Sequence, residues 1–287
     1  MKDNFEEHSE ELDLVNRFEQ MLGSKETVFF DLTDFESIID YYTANFEYKK
    51  ALLACDAALA QYPFSSGLLV DKAQLLAMSG DFEEALEIIN QVGEVEPENP
   101  DVQLTRGIIY TQRGEFRDAI DHFKKAMAYA EDRDDIYFNI GLAYQTWGKF
   151  NSAVKYYKKC IALNIENEAA MQEIIYCMEV TGTMREHLPF FQEFVDNDPY
   201  SYVAWFNIGN VYNKLGSYDK AIASYDYATI IKPDFITAYN NMANAYVFIG
   251  EFVKAIEAFN AMLEHGSPSA EVYCNIGECY EKLTQWD

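Results

Sequence analysis

The sequence predicts an all-α solenoid built from short helical pairs, and three observations support this. One pattern of apolar residues, glycines and prolines returns every 34 residues over most of the 287-residue chain. Within each cycle the apolar residues are spaced by three and four, as they are on one face of a helix. Most apolar segments end at a Gly or Pro, the residues that most often terminate helices. In such an array each unit buries its apolar face against its neighbours.

The clearest unit lies in the last third of the chain. Trp205, Ile208 and Tyr212 are spaced by three and four, which predicts one face of a first helix. Gly216 follows and favours a left-handed turn, because only Gly adopts that conformation without a Cβ penalty. A second apolar stripe then runs to Pro233, which cannot continue a helix. The unit therefore predicts two helices joined by a tight turn.

This succession of aromatic, Gly, Tyr, Gly, Ala and Pro resembles the tetratricopeptide repeat (TPR). The resemblance implies a right-handed α-solenoid of 34-residue helix-turn-helix repeats. The repeat register places seven repeats in 32–269 and the first helix of a truncated eighth repeat in 270–287. Residues 1–31 lie outside the repeats and are predicted to form an acidic N-terminal segment with a capping helix. The repeats start at Leu32, Ser66, Pro100, Asp134, Glu168, Tyr202, Ile236 and Ala270.

The N-terminal segment is acidic, and its first ten residues are predicted to be disordered. Leu12, Val15, Phe18 and Leu22 then form a helical stripe. We expect this helix to cap the first repeat; a helix that docks on a partner is the alternative.

The repeat at 168–201 departs from the pattern. Ile175 replaces the packing Gly of the first helix, and His187 replaces the Ala at which the two helices meet. Pro189 falls where the second helix should already run, which predicts a late start or a kink. We interpret these changes as sequence drift that neighbouring residues compensate; a functional hinge or binding notch is the alternative.

The net charge of −26 argues against nucleic-acid and membrane partners, because such a surface repels phosphate and anionic lipid. A protein or peptide partner, basic rather than acidic, fits better. No apolar run reaches membrane-spanning length and no export signal is visible, so we expect a cytoplasmic protein.

Catalytic chemistry finds no support in the sequence. The four histidines have neither zinc-ligand nor triad spacing, so we predict no enzyme activity, no cofactor and no metal site. Four of the five cysteines occupy core positions and are predicted to be buried in a reducing compartment, whereas Cys274 is expected to be exposed.

The face of each first helix opposite its packing face lines the concave groove of TPR arrays. Asn recurs on this face, and an Asn amide offers a donor and an acceptor that can hold a peptide bond. Phe138, Phe206 and Phe248 are candidate apolar anchors. Such Asn residues are also common in the family without a ligand. The predicted peptide-binding residues are Asn139, Phe206, Asn207, Asn210, Asn213, Lys214, Asn240, Asn241, Asn244 and Asn275.

Acidic residues line the earlier part of the same face. If functional, they would select Lys or Arg in a partner; otherwise they form a solvated surface. The chaperone-tail clamp of the family needs Lys at the fifth repeat position, which no repeat has here. The acidic residues are Glu36, Asp40, Asp71, Asp135, Glu173 and Glu179.

The sequence therefore predicts a non-catalytic protein-interaction scaffold that binds an extended peptide or a partner helix in the concave groove. One alternative is a regulatory or substrate-docking region of a longer enzyme or sensor that is truncated after Asp287. Another is an assembly subunit that self-associates through an uncovered C-terminal helix. The oligomeric state and the partner are left open by the sequence.

Overall fold

The computed structural model describes residues 2–24, 28–266 and 269–284, without the side chains of 2–11. These residues form sixteen helices and no strand. The prediction of an all-α repeat solenoid is confirmed.

Backbone contacts divide the chain into two compact units, Met1–Gly148 and Lys149–Asp287. The boundaries predicted from the repeat register, at residue 32 after the N-terminal segment and at residue 270 before the last helix, stay a prediction.

The first helix, α1 (Lys2–Gly23), begins at Lys2, so the predicted disorder of the first ten residues is wrong. Glu forms helices readily, and its charge is favourable near a helix N-terminus. Fifteen further helices follow: α2 (Leu32–Ala44), α3 (Tyr48–Gln61), α4 (Ser66–Ser79), α5 (Phe82–Val95), α6 (Pro100–Gln112), α7 (Phe116–Tyr129), α8 (Asp134–Thr146), α9 (Phe150–Leu163), α10 (Glu168–Thr181), α11 (Met184–Asn197), α12 (Tyr202–Lys214), α13 (Tyr218–Ile231), α14 (Ile236–Phe248), α15 (Phe252–His265) and α16 (Ala270–Thr284).

The even-numbered helices from α2 to α16 start at the eight residues where the sequence pattern places repeat starts. Six of the turns that follow contain a Gly with φ between 69° and 91°, a conformation that other residues adopt only at a cost. The first turn instead has Phe46, with φ 59° and a side chain that is 78% exposed. Its ring meets that of Tyr48 edge-on at 6.3 Å.

In the first unit, α1 covers the face of α2 through Phe18. This side chain is fully buried, with its ring centroid 6.3 Å from Phe30 and 6.5 Å from Phe35. The predicted stripe is therefore only partly correct. Val15 is buried beside Phe18, whereas Leu12 and Leu22 are exposed.

In two pairs, α6 with α7 and α12 with α13, an aromatic ring of the second helix fills the space above a Gly of the first. A Cβ built on Gly107 would lie 2.4 Å from the Phe123 ring, and one built on Gly209 would lie 2.6 Å from the Tyr225 ring. The equivalent Gly277 of α16 has no atom within 4 Å of such a Cβ. Only Gly permits the close approach at the two covered positions.

The helix α11 starts as far after its repeat start as the other second helices do, so its predicted late start is wrong. Pro189 lies inside the helix and is exposed. Arg185, whose carbonyl loses its helical donor, is also exposed, so water can reach it. The unusual residues Ile175 and His187 coincide with a change in helix packing rather than in the start of α11. The backbones of α10 and α11 approach at few places, whereas α10 packs closely along α9.

The helix α16 packs on α15 through the buried Val272 and Cys279, while Tyr273 and Tyr280 are more than half exposed. Residues 285–287, where the predicted truncated repeat ends, lie outside the described residues. The predicted burial of four cysteines and exposure of Cys274 are confirmed, whereas the reducing compartment stays a prediction. No helix in the described part of the chain is both long enough and apolar enough to cross a membrane.

Candidate functional site

A cavity of about 410 Å³ lies on the first helices of three successive pairs in the second unit. We call it the amide cavity. Its volume falls within the range of small-ligand pockets. It is lined by Gln172, Ile175, Tyr176 and Glu179 from α10, by Asn210, Asn213 and Lys214 from α12, and by Asn241 from α14.

A hydrogen-bond network orients two of the amides. The Tyr225 hydroxyl donates to Oδ1 of Asn210 at 2.9 Å, and Nδ2 of Asn241 donates to the same oxygen at 3.0 Å. Burial raises the pKa of Tyr225, so its hydroxyl stays a donor. The Asn210 oxygen thus accepts two bonds. Its Nδ2 donor and the Oδ1 acceptor of Asn241 bond no other described residue, so both can serve an outside partner.

Asn213 presents an acceptor that the protein itself does not use. Its Oδ1 is buried and has no hydrogen-bond partner among the described residues. An unsatisfied buried acceptor costs about 1–3 kcal/mol, so native proteins contain few of them. A ligand that donates a hydrogen bond here would remove that cost.

One ion pair crosses the cavity wall. Nζ of Lys214 on α12 lies 3.3 Å from Oε2 of Glu179 on α10, and both side chains are about half exposed, at 50% and 57%. The apolar part of the wall comes from Ile175, which is buried, and Tyr176, which is 50% exposed. The cavity thus combines amides, one exchangeable ion pair and an exposed aromatic ring.

Two other predicted residues lie at a smaller cavity in the same unit. Asn244 and Asn275 line a space of about 100 Å³, together with Phe252, Glu278 and Lys282. This cavity is formed by α14, α15 and α16 rather than by first helices alone.

Two predicted residues serve packing. Asn207 is only 7% exposed, and its Nδ2 donates to the carbonyl oxygen of Ile165 at 3.4 Å. The ring of Phe206 is partly buried, 4.9 Å from Phe235 and 5.8 Å from Tyr225 between centroids. Neither side chain belongs to the amide cavity.

The last two predicted residues bond locally. Asn139 lies in the first unit, and its Nδ2 donates to the backbone oxygen of Asp135 in the same helix at 2.9 Å. Oδ1 of Asn240 faces Nδ2 of Asn244 at 3.5 Å. The remaining anchor candidate on α14, Phe248, is exposed and stacks on Tyr218 at 5.2 Å.

In the first unit, the predicted acidic residues influence one another. Burial, with the charges of Asp40, Glu36 and Asp101, raises the pKa of Asp71 to about 6. Four carboxyl groups on α2, α4 and α6 therefore lie close enough to interact.

Family models match most of the repeat region. Models described as tetratricopeptide repeat match residues 42–107, 100–166 and 190–223, and a model described as TPR repeat matches 209–250. A PPR repeat model also matches 237–267. The chain is a tetratricopeptide repeat protein.

The solved structures similar to this TPR protein include the following three, and the TM-score of each is below 0.5. YrrB, described as a TPR protein with an unusual peptide-binding site, is 23% identical, with 64% of this chain and 95% of YrrB covered and a TM-score of 0.39. A tetratricopeptide repeat protein from Parabacteroides merdae is 15% identical, with 86% and 98% covered and a TM-score of 0.45. The APC/C hetero-tetramer Cut9-Hcn1 gives 16% identity, with 87% of this chain and 49% of the matched chain covered and a TM-score of 0.47. No curated protein matches the chain.

The TPR fold is that of a protein-interaction scaffold and is typically non-catalytic. Within the described residues, no group of His, Cys, Asp and Glu side chains is arranged to hold a metal ion.

Sequence reasoning missed most of the α10 wall of the cavity in this TPR protein. Gln172 and Tyr176 carry no Asn signal, and Glu179 was grouped with the acidic surface. The one signal was the irregular repeat itself, in which Ile175 replaces a Gly and lines the cavity. The alternative given for that repeat, a functional binding notch, involves the segment that contains α10.

Proposed function

We propose that this TPR protein is a non-catalytic scaffold that holds an extended segment of a partner protein at the amide cavity. The observation that carries the proposal is the buried Oδ1 of Asn213, which has no partner within the described residues. A peptide N–H is the donor that suits it, because every non-proline residue of a partner supplies one.

The neighbouring amides complete a main-chain site. Nδ2 of Asn210 is suited to donate to a peptide carbonyl, and Oδ1 of Asn241 is suited to accept a second peptide N–H. Neighbouring packed helices are about 8–10 Å apart and an extended chain advances about 3.3 Å per residue, so roughly three residues pass from one helix to the next.

Apolar contact must supplement these bonds, since each contributes only about 1 kcal/mol net. The half-exposed ring of Tyr176 offers such a surface at the cavity wall. We propose that Asn244 and Asn275 at the smaller cavity extend the contact in the second unit.

The test begins with selection on the purified chain from a phage-displayed library of unstructured peptides. Affinities of selected peptides are then measured by fluorescence anisotropy for the wild type and for Asn213→Ala. We expect Asn213→Ala to weaken binding about fivefold, the equivalent of one net hydrogen bond. Its free energy of unfolding should stay equal or rise, because an unsatisfied acceptor is removed.

Asn240→Ala is the matched control, since it removes the same side chain from the same exposed face at a residue that lines neither cavity. Affinity should change little. Selected peptides that bind wild type and Asn213→Ala equally well would contradict the proposal.

A further inference from the structure

We infer that the amide cavity selects a cationic side chain of the partner, arginine above all, with Glu179 as its counterion. In the free protein Lys214 occupies this carboxylate and is displaced on binding. The inference rests on the proposed function and adds the partner side chain that the cavity binds beside the partner's main chain.

The first step is the balance of hydrogen-bonding groups in the cavity wall. The acceptors include the carboxylate of Glu179, the unpartnered Oδ1 of Asn213 and the Oδ1 of Asn241. Asn210 adds a neutral amide donor, and Gln172 adds a neutral amide that can both donate and accept. Among the described residues that line the wall, Lys214 is the one cation, and it already pairs with Glu179. A ligand rich in donors matches this wall, whereas an anionic ligand would meet Glu179 and a buried oxygen.

The second step is the weakness of the internal ion pair. Lys214 and Glu179 are each about half exposed, and surface pairs of this kind contribute little net stability. A cation of the partner can therefore displace Lys214 from the Glu179 carboxylate. A guanidinium presents five donors in a planar fork, so it can bind a carboxylate and still donate to an amide oxygen such as that of Asn213.

The third step is the apolar wall. Arginine carries an aliphatic stem and a flat charged group, which pack favourably on an aromatic face. Tyr176 offers a half-exposed ring beside Glu179 in the same cavity. The long-range field acts in the same direction, because a net charge of −26 attracts cationic segments.

The experiment uses short synthetic probes of sequence acetyl-Gly-Gly-X-Gly-Gly-amide, in which X is arginine, its uncharged isostere citrulline, or glutamate. Binding to the full chain is followed by NMR through the side-chain amide signal of Asn213. We expect the arginine probe to bind at least fivefold more tightly than the citrulline probe, and the glutamate probe to bind most weakly.

Two substitutions in the Lys214–Glu179 ion pair should change the affinity for the arginine probe in opposite directions. Lys214→Met should tighten binding of the arginine probe about threefold, because it removes the competing cation, and Glu179→Gln should weaken it about tenfold. Lys254→Met is the matched control, since Lys254 forms an equally exposed pair with Glu251 at 3.2 Å and lines neither cavity. This control should leave the affinity unchanged.

The reverse signs, with Lys214→Met weaker and Glu179→Gln tighter, would overturn the inference in favour of an acidic ligand. Equal affinity for the three probes would also overturn it. If Asn213→Ala still weakens peptide binding in that case, the main-chain site stands without a charge preference. If Asn213→Ala has no effect either, the proposed function fails as well.

Discussion

Tyr225 lies so close above Gly209 that a Cβ on Gly209 would be 2.6 Å from Cε1 of the ring, and the same Tyr225 hydroxyl reaches Oδ1 of Asn210. The contact that packs α12 against α13 therefore also sets the direction in which the Asn210 amide faces. Packing and the candidate site are linked through one side chain.

Gly209→Ala is expected to destabilise the protein by about 1–3 kcal/mol, since the new methyl group must push the Tyr225 ring aside. The displaced ring should also release Asn210 and weaken peptide binding. Gly277→Ala is the control at the same repeat position, where nothing lies within 4 Å. It should be stabilising by up to about 1 kcal/mol, as Ala is the better helix former. Urea denaturation of both variants checks this; equal effects would contradict the prediction.

Phe46→Gly is expected to stabilise the protein by about 0.5–1 kcal/mol. A left-handed conformation costs a non-glycine residue about 1–2 kcal/mol, and the greater freedom of Gly in the unfolded chain offsets part of the gain. Gly114→Ala is the mirror control, because Gly114 has φ 79° and an open environment. It should be destabilising by about 1 kcal/mol in thermal denaturation. A loss of stability for Phe46→Gly would show that the exposed ring contributes packing through Tyr48.

Pro189→Ala is expected to stabilise the chain by about 1–3 kcal/mol. The substitution restores an N–H that can donate to the Arg185 carbonyl and removes a ring that crowds it. Because Pro189 is exposed, no cavity is created. Pro233→Ala, between α13 and α14, is the control and should lose about 0.5–1 kcal/mol through unfolded-state entropy. Chemical denaturation with far-ultraviolet circular dichroism measures both; a decrease for Pro189→Ala would rule the explanation out.

Asp71→Asn tests the acidic surface of the first unit. The pKa of Asp71 is raised to about 6 in the folded state, so the folded state binds more protons than the unfolded state between about pH 4 and pH 6. Wild-type stability from this group is present at low pH and is lost as pH rises through about 6. At pH 7 the variant should therefore be more stable by about 1–2 kcal/mol, a value reduced for partial solvation. Near pH 4 the two proteins should be equally stable, and a difference independent of pH would contradict this origin.

The regular parts of the fold follow from local pattern. The starts of α2 through α16 at 34-residue spacing and the burial of four cysteines could be predicted, because each depends on spacing along one helix. The helix α11 was harder to predict, since a Pro inside a helix is tolerated where the carbonyl that loses its donor is accessible to water, and that accessibility depends on tertiary packing.

The roles of the residues at the candidate site depend even more strongly on tertiary packing. The sequence by itself determined that Asn residues recur on the face of the first helices opposite the predicted packing face, at Asn139, Asn207 and Asn241. Only the tertiary structure decided their roles: the first bonds its own helix, the second bonds the Ile165 carbonyl, and the third lines the amide cavity. The reason is physical, because an amide bonds whichever partner the packing brings within reach, and for Asn207 and Asn241 that partner is distant in the chain.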